Sequence, residues 1–131
     1  MQRQLISSGS PYEPQIGLSR AVRVGPWIAV AGTAPLYRDG TTAHVGDVYA
    51  QTKRCLEIML DAIARAGGSA EHVIRTRIML VDVSQWRDAA RAHGEVFAEI
   101  RPASTFVQVS GFIDDRWLVE TEADCFVPES V

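Results

Sequence analysis

Three acids alternate near the end of the chain. Glu120, Glu122 and Asp124 interleave with Val119, Thr121, Ala123 and Cys125. A period of two is that of a β-strand with one carboxylate-bearing face. On an antiparallel strand such a face is ordinarily solvated. If the sheet buries it against another chain, one carboxyl is partly desolvated, its pKa rises, and it can exchange protons near neutrality. Alternation leaves open which of the three acids that is. A second segment, from Arg101 to Val109 (RPASTFVQV), runs from a helix end into a strand start. Small side chains at Ala103 and Ser104 leave space there, a candidate pocket wall.

Other chemistries find little support. His44, His72 and His93 are scattered, and Cys55 and Cys125 are far apart, so no metal-ligand spacing exists. No glycine-rich nucleotide fingerprint or phosphate loop occurs, and Gly67-Gly68 reads as a helix stop. The segment Gly17-Leu18-Ser19-Arg20-Ala21 narrowly misses a nucleophile elbow and precedes a strand rather than following one.

The elements that must position these residues follow from pattern and punctuation. Ala21–Val24 and Trp27–Ala31 read as a hairpin around Gly25-Pro26, with Gly32 marking a bulge or close backbone approach. Ser7 to Pro14 and Leu36 to Gly46 read as loops. Residues 47–66 form the best helix, with Asp47 as N-cap and Thr52, Leu56, Met59, Leu60 and Ile63 on one stripe. Val73–Val83 reads as a strand covered on both sides. Ser84 caps a second helix to about Glu99, with Trp86, Ala90, His93, Phe97 and Ile100 as its stripe and Pro102 beyond its end. Thr105–Val109 and Trp117–Val127 complete the order β-β-α-β-α-β-β. This is an α+β, two-layer sandwich: a mixed sheet with two helices on one face, in one domain spanning 1–131. Two helices cover only one face, so a symmetric oligomer is the economical cover for the other.

Composition sets further bounds. The chain has 131 residues, 47% hydrophobic and 22% charged, and a formal net charge of −3. That profile suits a globular domain and gives no basic footprint for nucleic acid. No apolar run is long enough for a membrane span, and the first residues lack a signal-peptide pattern. Two cysteines without disulfide spacing fit reduced, buried thiols in a cytoplasmic protein.

Several segments together resemble the RidA family of reactive-intermediate imine deaminases, over roughly Ser7 to Phe126. They are Ser19 to Gly25 (SRAVRVG), Val30 to Pro35 (VAGTAP), Gln51-Thr52, Gly67, Pro102 to Val109 (PASTFVQV) and Val119 to Ala123 (VETEA). The resemblance implies a chorismate-mutase-like fold, a homotrimer with its sheets inside, ligand clefts between subunits, and hydrolysis of enamines or imines to carbonyl compounds and ammonia without a cofactor. It implies that Glu120 is the catalytic acid and that Gly32, Ser104, Thr105 and Leu18 line the cleft. The family's carboxylate-binding arginine is Ser104 here, and its aromatic before the first strand is Leu18, as in arginine-lacking branches. Arg20 and Arg101 are the candidate replacements for the lost cation. Two alternatives stand beside the deaminase reading: a non-catalytic small-molecule-binding trimer, and a pathway-specific enzyme on a larger, non-carboxylate substrate.

Overall fold

A computed structural model describes residues 2–129. In chain order the elements are β1 (Arg3–Ile6), α1 (Tyr12–Ile16), β2 (Ala21–Val24), β3 (Trp27–Thr33), α2 (Val48–Arg65), β4 (Val73–Leu80), α3 (Trp86–Phe97), β5 (Ala103–Gln108) and β6 (Val119–Phe126). They form one six-stranded sheet in the order β1-β2-β3-β6-β4-β5. β4 and β5 are parallel and every other neighbouring pair is antiparallel. The parallel pair requires a crossover, which α3 supplies. No helix among the described residues is long and apolar enough to cross a membrane.

α2 starts where the Asp47 carboxylate accepts the Ala50 N–H at 3.0 Å. It ends where Gly67 takes φ 91°, a left-handed conformation that favours glycine, and Gly68 N–H returns to the Ile63 carbonyl at 2.9 Å. The predicted stripe is the buried one: Thr52, Leu56, Met59 and Ile63 pack on the sheet, with Leu60 at its margin. Leu56, Met59 and Ile63 belong to one core cluster with Ile28, Val30, Ala123 and Cys125. A second cluster holds Cys55, Ile78, Leu80, Ala89 and Val119. Both helices lie on the same face.

The opposite face carries Trp27, Arg75, Arg77, Glu122, Asp124 and Phe126, a consequence of strand alternation and register. Arg77 pairs with Glu122, and Arg75 lies 3.9 Å from Asp124. Trp27 and Phe126 meet edge to face at 5.0 Å.

The structure corrects the sequence reading at several points. The N-terminal segment is an edge strand and a short helix rather than only a loop, which adds a sixth strand and a third helix. β1 is short and mostly exposed, so it lacked the alternating apolar signal. β4 stops at Leu80. Ser84 does not cap α3. Its N–H and hydroxyl instead donate to the Asp82 carboxylate, and a 3-10 turn at Val83–Gln85 leads into the helix. The buried residues of α3 are Ala89, Ala92 and Phe97, a stripe rotated from the expected one. Trp86 is 42% exposed, under the Arg87 guanidinium. β5 and β6 are consecutive strands, but β4 lies between them.

Thr121 is fully buried, and its hydroxyl is the only buried side-chain polar atom without a partner among the described residues. Thr121→Val removes that unmet hydroxyl at nearly constant shape and is expected to leave stability unchanged or raise it in urea unfolding. Leu56→Ala empties a fully buried site and is expected to cost about 2–5 kcal/mol in the same measurement.

Candidate functional site

A cleft of about 180 Å³ opens where β3 parts from β6. The β3–β6 register shifts between Val30 and Thr33, so the sequence-predicted irregularity at Gly32 is present. The bulge brings the Gly32 backbone against the Glu120 side chain. A Cβ at position 32 would sit 3.1 Å from Glu120 Oε1. Glycine there is thus a matter of space, since its φ is not left-handed.

Glu120 is half-buried, lines the cleft, and has no hydrogen-bond or ion-pair partner among the described residues. Burial raises its pKa above the ordinary carboxyl value. The nearby Arg20 opposes that shift and Glu122 adds to it. Glu122, on the same face, is committed to Arg77. Asp124 is exposed beside Arg75, so of the three alternating acids only Glu120 is both half-buried and unpaired among the described residues.

Arg20 lies in the cleft wall but is not free. Its Nη1 donates to the Gly32 carbonyl at 2.6 Å and to Thr33 Oγ1 at 3.3 Å, and its Nε faces Glu13 Oε2 at 3.4 Å. Glu13 is buried at the start of α1. Burial disfavours its charge, but hydrogen bonds from Ser8 and Ser7, together with Arg20, hold its pKa below the usual value. Arg20 and Glu13 thus cancel as a buried pair. Their role is to hold the carbonyl of Gly32 in place.

Leu18, Arg20, Gly32 and Glu120 line this cleft together. Ser104, Thr105 and Arg101 do not reach it within one chain. They sit on or just before β5, the strand at the far edge, with β6 and β4 between them and β3. Ser104 Oγ accepts from Thr76 Oγ1 at 2.7 Å, and Thr76 Oγ1 lies 2.9 Å from His93 Nε2. Thr105 faces the open side of the sheet, in register with Arg77. Arg101 is exposed at φ 56° in the turn after α3.

Sequence reading missed further polar residues of the cleft, among them Arg38, Arg54 and Tyr37. Arg54 flanks the buried stripe of α2, one position before Cys55, which is a weak signal. Nothing in the loop pattern marks Arg38. Ile113 and Trp117 add apolar wall. Both cysteines are free and buried, as expected. Burial pushes the Cys55 thiol well up, with a further contribution from Glu120, and raises Cys125 to about 11. Neither is a thiolate at neutral pH. Among the described residues no group of three or more His, Cys, Asp or Glu side chains is placed to hold a metal ion.

The arrangement offers one uncommitted acid at a fixed backbone carbonyl, able to take a proton from water or return it. Because burial raises the Glu120 pKa, the folded chain binds more protons than the unfolded chain between the ordinary carboxyl pKa and the raised one. Stability therefore falls as pH rises through that window. Glu120→Gln is expected to be at least as stable as the parent at pH 8 and to lose that advantage near pH 4, as read by urea midpoints. Gly32→Ala forces the carboxyl of Glu120 aside. It should keep the fold by circular dichroism while weakening whatever the cleft binds.

Comparison with known proteins accords with this geometry. The family model described as Endoribonuclease L-PSP matches residues 10–127. An uncharacterized protein of Streptomyces coelicolor, SCO2049, is 40% identical over 121 residues, covering 92% of this chain and 90% of its own. The 3-aminoacrylate deaminase RutC of Acinetobacter baylyi is 33% identical over 110 residues, 84% of each chain. The crystal structure of Rv2704 from Mycobacterium tuberculosis, a member of the YjgF/YER057c/UK114 family, superposes with a TM-score of 0.87 at 40% identity. It covers 96% of this chain and 100% of that one. A family match across nearly the whole domain, together with the shared six-stranded fold, shows that the chain belongs to the Rid (YjgF/YER057c/UK114, L-PSP) family.

Proposed function

We propose that this protein is a cofactor-free hydrolase of small imines or enamines, with Glu120 as its general acid–base. The observation that carries the reading is the unpartnered, half-buried Glu120 carboxyl against the Gly32 backbone, with its pKa raised by burial. A raised carboxyl pKa brings proton transfer closer to neutral pH, where a base must be ionised to accept and a conjugate acid ready to donate. In the proposed reaction Glu120 takes a proton from water as the water oxygen bonds to the imine carbon, and passes it to the imine nitrogen to give the carbinolamine. The carbinolamine then collapses. Its C–N bond breaks as Glu120 relays the hydroxyl proton to the departing nitrogen, the hydroxyl oxygen becomes the carbonyl, and ammonia leaves. Imine plus water becomes carbonyl compound plus ammonia. The name of the RutC relative, a 3-aminoacrylate deaminase, supports this class of reaction.

The same reading takes the protein as a homotrimer. The uncovered face, with its Arg77–Glu122 pair and its Trp27–Phe126 contact, is suited to a second copy. An edge strand from such a copy would bring Ser104, Thr105 and Arg101 toward the cleft. Two free thiols suit a reducing compartment, the cytoplasm. Charge weighs against the alternative of endoribonuclease activity. A formal charge of −3 supplies no general attraction for a polyanion.

Light scattering at micromolar concentration is expected to give three times the chain mass. A monomer would remove the inter-subunit part of the reading. With an imine generated in situ by an amino-acid oxidase, Glu120→Gln is expected to lower kcat by about 10²–10⁴-fold while the trimer persists. The wild-type rate should fall as pH drops through the raised pKa of Glu120, and the variant should lack that limb. Unaltered turnover in Glu120→Gln would sink the catalytic role. Tight binding without turnover in the parent would favour a binding protein.

A further inference from the structure

A row of three side chains on the helix-covered side of the sheet takes no part in the cleft chemistry. Thr76 on β4 is fully buried. Its Oγ1 lies 2.9 Å from His93 Nε2 on α3 and 2.7 Å from Ser104 Oγ on β5. Ser104 is exposed, so the row starts at solvent and ends inside the protein. Thr76 and Ser104 are register partners on parallel strands, which fixes their spacing. His93 is half-buried between aromatic rings, Phe97 at 4.7 Å and Phe106 at 5.9 Å.

Thr76 carries one hydroxyl proton and meets two partners, so the row runs in one of two senses. When Thr76 donates to Ser104, His93 Nε2 is a donor. When both hydroxyls turn and the imidazole proton sits on Nδ1, Ser104 donates to Thr76 and Thr76 donates to His93. The second sense aims the serine proton at a base two hydrogen bonds away and leaves the serine lone pairs toward solvent. It requires a neutral imidazole. Burial lowers the His93 pKa and is the one influence on it. Phe97, Phe106 and Thr76 do not titrate. The charged groups where α3 meets α2 are spent on one another: Glu95 accepts from Tyr49 and lies near Lys53, and Arg91 stacks on Tyr49. Arg75 and Arg77 of β4 lie on the opposite side of the sheet.

The backbone beside Ser104 is free as well. β5 is the edge of the sheet. Val109 N–H donates to the Leu80 carbonyl, so by the strand period the N–H groups of Ser104 and Phe106 point off that edge. Unpaired N–H groups next to an attacking oxygen are the donors that a developing oxyanion needs.

We propose that Ser104, Thr76 and His93 form a second catalytic site, in which Ser104 Oγ is a nucleophile toward small activated acyl or phosphonyl compounds and Thr76 relays its proton to His93 as base. With an ester, a bond forms between Oγ and the carbonyl carbon. The Ser104 proton passes to Thr76 Oγ1 and the Thr76 proton to His93 Nε2. The ester C–O bond then breaks, a proton returns along the row to the departing alcohol oxygen, and the acyl group stays on Ser104. Water attacks the acyl carbon next and gives a proton to the row. The carboxylic acid leaves, and that proton restores the Ser104 hydroxyl. The arrangement differs from a direct nucleophile–base contact by one hydroxyl. It needs neither Glu120 nor the cleft, and so goes beyond the function proposed above.

The test uses an alkyl fluorophosphonate, which forms an Oγ–P bond, expels fluoride and stops at a stable adduct readable by intact mass and peptide mapping. The parent is expected to gain one phosphonyl group, on Ser104, at least about 10²-fold faster than on Ser110, an exposed serine outside the row. Ser104→Ala, at an exposed position, should abolish that adduct with the circular dichroism unchanged. Thr76→Val removes the relay at nearly constant shape and should slow labelling by a similar factor. Thr76→Ser, which restores the hydroxyl, should recover most of the rate. The parent rate should fall as pH drops through the lowered pKa of His93, and His93→Gln should be slow and lack that limb. Labelling of Ser104 and Ser110 at equal rates, or no adduct at all, overturns the proposal. So does a Thr76→Val variant that labels as fast as the parent, which would leave the row as a structural bridge between α3 and the sheet edge.

Discussion

The last strand of the chain lies in the middle of the sheet, and the site depends on that insertion. β6 hydrogen-bonds to β3 on one side and β4 on the other. Its alternate residues therefore do two different jobs. Val119, Thr121, Ala123 and Cys125 close the core beneath the helices, and Glu120, Glu122 and Asp124 populate the uncovered face. A slip of one residue would exchange those sets, placing three carboxylates in the core. Strand register is thus set by the cost of burying charge, and the position of Glu120 follows from it.

Within that register, the bulge in β3 decides which acid is left without a partner. At most of its length β3 pairs with β6 residue for residue, and the shift between Val30 and Thr33 withdraws the ladder near Glu120. Gly32 leaves room for a carboxylate oxygen where any side chain would crowd it. Two residues on, Glu122 meets the guanidinium of Arg77 across to β4 and is neutralised. Adjacent acids on one face thus differ in surroundings for a local reason: one has a cross-strand cation and the other has a gap.

Arg20 and Glu13 form the counterpart of this arrangement. A buried ion pair contributes little net stability on average, because desolvation offsets attraction, but removing one partner leaves a buried charge uncompensated. Here the pair joins the N-terminal helix to the bulge through the Gly32 carbonyl. The N-terminal segment, peripheral in the sheet, is therefore part of the site.

How much of this was legible in the residues differs by element. The α2 helix, its stripe and its Asp47 cap, the β2–β3 hairpin, the irregularity at Gly32 and the exposed alternation of β6 were all local. Each rests on periodicity, capping or a single special residue, which neighbouring residues encode directly. The family resemblance added the fold and pointed to Glu120 before any distance was known. Three things were not legible. β1 is a short edge strand whose pairing with β2 supplies its structure, so it carries little signal of its own. The α3 stripe falls on Ala89, Ala92 and Phe97, a phase set by how the helix packs against its neighbours rather than by its own pattern. The composition of the cleft depends on which cations are already spent. Among Arg20, Arg54 and Arg101, the first is spent on Glu13 and the Gly32 carbonyl, the second on Glu57 and the Leu36 carbonyl, and the third stands at the far edge of the sheet. Sequence alone determined the elements and the residue types available for chemistry. Tertiary structure decided which charges remain unpaired, because charge compensation is settled by proximity in space rather than along the chain.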